Sequence, residues 1–390
     1  MTGRNERGYT LIETLVAMVI ASTLLAGMLS ALFVGLRTMD NTNKKIAGSN
    51  DTELVAGYFT TDIASAESIS TSGTTSHRAP SVAPSSNNNV LVSFWTLNTG
   101  TSLTVPDSMA EIWDGASTGP LSSGRVTVGV GDELLTSTGA TGDRVADSAA
   151  GASSLTHSVT LAPAALQSIA RRGSASASTS GAASLTIGRP AATQSGDVLL
   201  AQVGVRGGST VTMSTPSGWT LLERRSAGSA IQSAVFSHTA ASGDPASWTW
   251  AFGASQESAG GIVDYSGVGT VSQHASGVNP CGGLPSALLL NWTDRGTPNV
   301  AHEVSYSISS TGGETVLLRQ HCTGTNRTPT DTQSLARALA ATTAASATCE
   351  PAACGPTTAP VTVTLTLTEP PDLHSTVQRT YQLRGTTRTN

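Results

Sequence analysis

Lysine is almost missing from this chain: there are two, Lys44 and Lys45, in 390 residues. Charged residues make up 12%, about half the usual globular share, and aromatics 4%. A net charge of −5 argues against a general nucleic-acid binder, which would show a basic face. No G-x-S-x-G elbow is present. No cysteine precedes residue 281 and none is spaced C-x-x-C, which excludes the common zinc patterns. The histidines (His77, His157, His238, His274, His302, His321 and His374) form no spaced metal motif and read as surface or strand residues. The run 267–270 opens like a dinucleotide loop, but no helix pattern follows it. Asp107, Glu111, Asp114, Asp132 and Glu133 lack calcium-loop spacing and read as solvated acids. The sequons at Asn291 and Asn326 read as chance matches. No constellation for an enzyme, no cofactor and no metal emerges.

What fills the chain is small. Gly is 40, Pro 17, and Ser, Thr and Ala dominate the rest. Hydrophobic content of 38% is too high for a disordered chain. A charge-poor, Thr/Val/Ser-rich sequence with late cysteines reads as exported β structure in an oxidising compartment.

The front differs. Residues 1–8 are polar and carry Arg4, Glu6 and Arg7; residues 9–36 then run with one charge, Glu13. As a helix of about 1.5 Å per residue this run is long enough for a bilayer. Arg4 and Arg7 place the N-terminus in the cytoplasm and the remainder outside. The nearest small-x-small triplet, Ala47-Gly48-Ser49, lies too far beyond the run for an ordinary signal cut, so the run is expected to stay. Gly8 offers a protease close access to the backbone. Cutting there leaves an amine on Tyr9, and Glu13 lies one helical turn further in. A carboxylate at membrane depth needs a partner, and the amine of a neighbouring subunit supplies one while fixing register. Ala17, Ala21, Ser22, Ala26 and Gly27 allow helices to approach closely.

The stretch 7–17, with Gly8, Tyr9 and Glu13 at these offsets, resembles the signal of type IV pilins and pseudopilins. That resemblance implies cleavage after Gly8 by prepilin peptidase, N-methylation of Tyr9, and assembly with other pilin subunits through Glu13. The family usually begins its mature chain with Phe; Tyr9 departs from it by one hydroxyl. Residues 53–63 resemble the stalk of larger minor pseudopilins, with Leu54, Tyr58 and Ile63 on one face. The spacing predicts one long helix to about Ala66, broken near 70–75.

From 282 onward alternation predicts an antiparallel meander over 287–293, 303–308 and 314–320, a short helix over 331–340, and strands over 361–368 and 377–383. This part resembles the globular half of a pseudopilin and that of Gram-positive prepilin-like proteins. Four cysteines allow three pairings. Strand order favours Cys281–Cys322, and Cys349–Cys354 would close a tight loop.

Between these parts lie about 200 residues, 76–280. Strand, Gly turn, Pro and Trp recur in the same order, giving two half-units at about 78–167 and 183–275, joined by a Ser/Ala/Gly linker at 171–184. Two sheets face to face would bury their apolar residues. Trp248 and Trp250 share one strand face and read as core rather than a sugar platform. The block 216–268 resembles β-sandwich modules of bacterial surface and phage-tail-like proteins.

The expected architecture is therefore α+β: leader 1–8; transmembrane and assembly helix 9–36; stalk and linker 37–75; inserted all-β sandwich 76–280; pilin-like sheet 281–390, on which the long helix packs. The expected role is a minor pilin or pseudopilin of a pilus-like or secretion-like filament, in the plasma membrane until assembly, its inserted module open to a surface ligand. The alternative is a single-pass anchored adhesin that enters no filament.

Overall fold

The computed structural model describes scattered positions between 12 and 32, and residues 56–387 apart from 72–73, 120–123, 282–285, 295–299, 312–313, 325–328, 340–342, 352–353, 355–359 and 370–378. The chain divides into two units, Met1–Val55 and Ala56–Asn390. In the first, the described positions are helical, and Ile12, Leu15, Met18, Leu25, Met28 and Leu32 are exposed.

The second unit corrects the expected α+β architecture. Strands hold 63% of the described residues. Its described helix, 56–65, ends close to the expected Ala66, and strands β1 (Ser68–Ser70) and β2 (Thr74–Ala79) follow in the stretch expected to be a linker. Among the described residues no helix is long and apolar enough to cross a membrane. The predominance of strands follows from composition: Thr, Val and Ser alternation in this unit favours pleated surfaces, and few long helix formers occur to oppose it.

Two five-stranded antiparallel sheets form the middle. One has the order β14 (Val268–Asn279), β8 (Ser154–Pro163), β3 (Asn89–Leu97), β6 (Thr127–Leu135), β5 (Ala110–Ala116). The other runs β11 (Thr220–Ala227), β12 (Ile231–Thr239), β10 (Val198–Arg206), β13 (Ser247–Ser266), β9 (Ala170–Gly188). Val90, Val92 and Phe94 meet Leu200, Val235 and Val263 between them. On the opposite face of β3, Leu91, Trp95 and Leu97 pack on Ala79, Leu103 and Ala146, from a small sheet of β2, β7 (Arg144–Ala152) and β4 (Leu103–Thr104). Every residue of β3 is buried because both of its faces are covered.

The stretch 171–184 is no linker. It lies inside β9 and pairs along β13. Its Ser/Ala alternation presents Ala175 and Ala177 to the core. The β9–β13 ribbon breaks register at Ala251/Gln256 and Gln256/Ser258 and folds over its own sheet. Leu185, Ile187, Trp248, Trp250 and Phe252 thereby share a core with Leu199, Ala201, Phe236 and Ile262. Gly260 makes this approach possible: a Cβ there would stand 3.1 Å from Leu185 and 2.5 Å from the Gln202 carbonyl oxygen.

A fourth sheet has the order β1, β15 (Leu288–Asp294), β16 (Val300–Thr311), β17 (Glu314–Thr323), β18 (Asp331–Leu339). β18 replaces the short helix expected at 331–340; its Ala, Leu and Gln favour helix locally, but pairing with β17 wins. The fifth is β19 (Ala344–Glu350), β20 (Thr362–Glu369), β21 (Arg379–Thr386). The helix 56–65 touches both of these sheets: Phe59 meets the Tyr306 ring edge-on at 5.6 Å, and Ile63 lies over Gly385.

Candidate functional site

Gly8, Tyr9 and Glu13 lie outside the described residues. The described part of the chain nearest to them in sequence that is held by tertiary contacts is the helix 56–65, and the grip on it is specific. Asp62 is 4% exposed and faces the fourth sheet. Arg319 of β17 donates Nε to Asp62 Oδ2 at 2.6 Å and Nη2 to Oδ1 at 2.7 Å. Tyr306 of β16 donates its hydroxyl to Oδ2 at 2.6 Å. Nη1 of Arg319 reaches Asp331 Oδ2 at 3.1 Å, and the guanidinium lies 4.7 Å over the Tyr58 ring. Burial works against the charge of Arg319, but the Asp62 carboxylate outweighs it and holds the guanidinium above its ordinary range. Burial, then the Asp62 charge, push the Tyr306 hydroxyl well above its own. The arrangement is a fork-to-fork clasp, suited to holding a helix rather than to proton transfer.

Beyond the clasp, Trp292 stacks on His302 at 5.1 Å and on His321 at 5.7 Å. His302 Nε2 is 2.9 Å from Asp294 Oδ2, and its Nδ1 is 3.0 Å from His321 Nε2. Burial, then Arg319 and His302, hold His321 below the usual imidazole range.

The sandwich carries its own polar groups. An open cleft of about 580 Å³ at one end includes Asp132, Glu133, Arg144, Arg171 and Tyr265. Tyr265 donates to Asp132 Oδ2 at 2.9 Å, Arg171 lies 3.2 Å from Oδ1, and Arg144 pairs with Glu133. Asp132 and Glu133 are thus ion-paired, not solvated as their sequence suggested. Burial raises Asp132, against the pull of Tyr265 and Arg171. Among the described residues no three His, Cys, Asp or Glu gather as a metal set.

Between the two large sheets, His157 Nε2 lies 3.1 Å from Ser233 Oγ, which meets Thr96 Oγ1 at 2.9 Å. This Ser–His pair has no substrate access, since both residues are buried. Burial pushes His157 down to about 3, with Arg225 and His274 adding to it. His77, held by Ser154 and Ser148, is pushed down to about 4, chiefly by burial. Trp219, Trp248 and Trp250 pack edge-to-face in the core and offer no sugar platform.

Cys281 is bonded to Cys322 and Cys349 to Cys354. The first bond ties the entry of the fourth sheet to β17; the Cys281 amide donates to Glu303 at 2.6 Å. Sequence reading missed the pairing of Asp62 with Arg319 and Tyr306. Their signal is hard to see, since Arg319 is 257 residues from its partner.

A family model described as the prokaryotic N-terminal methylation motif matches residues 3–29. No curated protein and no solved structure matches the chain. The matched stretch contains Gly8, Tyr9 and Glu13, and it supports a prepilin-type signal at the front of the chain, that of a type IV pilin-like precursor processed by prepilin peptidase.

Proposed function

We propose that the chain is a minor pilin or pseudopilin, a structural subunit and not an enzyme, cut after Gly8, methylated at Tyr9 and assembled through Glu13. The methylation motif at 3–29 carries this reading. The apolar side chains exposed at helical positions 12–32 support it, since such a surface calls for lipid or similar helices around it. The clasp on the helix 56–65 supports it too, because it ties the chain behind the signal firmly to the β-rich body. The size of that body argues for a low-copy position: a shaft subunit repeated every few ångströms would be crowded by it. The sandwich is the part displayed for surface binding.

The test is an N-terminal mass measurement on protein from the native host, with Glu13→Ala beside it. The expected mature chain begins at Tyr9 with one added methyl. The variant is expected to be processed normally yet to fall by at least tenfold in sheared filaments. A mature chain beginning at Met1, or full incorporation of the variant, overturns the reading.

A further inference from the structure

Asp264 stands near the end of β13, opposite Leu199 of β10 and Gly173 of β9. Its neighbour Val263 points into the core between the two large sheets, so Asp264 points to the other face. Asp264 has no exposed surface, and neither of its carboxylate oxygens accepts a hydrogen bond. Stripping water from an ionised carboxylate without supplying donors is strongly unfavourable.

The charged groups acting on it are Asp197, from the turn before β10, and Arg172 of β9. Arg172 is committed to Asp197: its Nε lies 3.2 Å from Oδ1 and 3.0 Å from Oδ2. Asp197 Oδ2 also accepts from the Gln194 amide at 2.8 Å. The Thr193 hydroxyl lies beside Asp264, buried and without a partner. Two carboxylates and one guanidinium leave this buried corner one positive charge short.

We propose that a single proton fills that place, held on Asp264 and shared with Asp197, so that this corner of the sandwich closes in its acidic form. The protonated Asp264 donates its O–H to Asp197, and its carbonyl oxygen receives the Thr193 hydroxyl. The bound proton gives the buried Asp264 its missing hydrogen bond, whereas the Thr193 hydroxyl can donate to it in either charge state and favours the ionised one. The same surroundings, burial first, raise Asp264 to about 6, with Asp197 adding to the rise and Thr193 and Arg172 opposing it. The sign follows: the folded chain holds this proton more tightly than the unfolded one. The stabilisation is full below the ordinary carboxylate range and is lost as pH rises through about 6. Deprotonation sets two carboxylates against one guanidinium. The load falls on the β9–β13 seam, whose register already breaks between Asp264 and Tyr265.

The test is hydrogen exchange of the purified full chain between pH 5 and 8, read on peptides of β13 and β9 and corrected for intrinsic rate. Protection there is expected to fall on the order of 10- to 100-fold across that range. Asp264→Asn, which mimics the neutral acid at every pH, is expected to keep it flat. Asp197→Asn removes the second carboxylate and is expected to move the step toward lower pH. An unchanged slope in Asp264→Asn overturns the proposal. If that variant does not fold, the carbon-13 titration of the Asp264 carboxyl in the native chain decides: a midpoint near 6 supports the shared proton, and one near 4 overturns it. Recovery of protection at pH 8 on adding calcium or sodium also overturns it, because a metal ion then fills the place.

Discussion

At the scale of single residues, the Asp62–Arg319 pair dominates. Both groups are about 5% exposed, so removing one strands the other's charge in a dry place. Replacing Arg319 with Ala is expected to destabilise the junction by about 3–5 kcal/mol, because breaking a buried pair is worse than never having had it. Limited proteolysis should then cut at 56–67, where the native chain is expected to resist. Arg319→Lys should recover only part of this, since an ammonium cannot make the two-pronged contact. His157 and His77 set a second residue-scale expectation. Their folded values of about 3 and 4 lie below the ordinary 6.5. The unfolded chain therefore binds more protons, and their stabilisation, full above 6.5, is lost as pH falls toward 4. His157→Gln should flatten the acid limb of a denaturant-midpoint-against-pH curve. A variant that unfolds with the native slope would show that the imidazole is not what the acid attacks. The two histidines and Asp264 pull in opposite directions with pH, so only variant-against-native comparison at each pH separates them.

At the scale of elements, the β9–β13 ribbon is the most constrained piece. Gly260→Ala is expected to cost about 1–3 kcal/mol, because the added methyl meets the Gln202 carbonyl oxygen, which cannot turn aside as a side chain can. Urea denaturation with an unchanged slope and a lowered midpoint would record it. This ribbon also marks the limit of what could be read from the letters. β20 was legible because Val363, Leu365 and Leu367 alternate with threonines and contrast sharply with them. β16 was legible for the same reason, and β15 and β17 from apolar runs set off by turn residues beside it. β9 was not, since Ala and Ser differ too little in polarity to display a period of two. β18 was missed because its local preference is helical and the deciding term is a partner strand. The clasp joins groups far apart in sequence, and its pattern exists only after folding. The N-terminal motif was readable for the opposite reason: a processing signal is read as a linear string, so its specificity is written locally.

At the scale of the whole molecule, connectivity matters more than any contact. β1 pairs with β15, Ser70 lying opposite Leu289, so the chain leaves for the sandwich and returns from it on adjacent antiparallel strands. Such neighbours need only a two-residue turn. Deleting 72–287 in favour of Asn-Gly, with Cys322→Ser to avoid a lone thiol, is expected to leave a folded remnant. Retained protease resistance of the helix 56–65 would confirm it, and a remnant degraded in the cell would show that the sandwich supports its base. In the full chain, replacing Cys281 and Cys322 by Ala is expected to lower stability by about 2–5 kcal/mol, a loss visible as a lowered Tm under non-reducing conditions.

The pairing of β1 with β15 also decides how tension would travel. A tug on the front of the polypeptide runs down the helix 56–65, crosses at Asp62 into β16 and β17, and is absorbed there. The sandwich is spliced in between β1 and β15, which lie side by side, so this load path does not run through it.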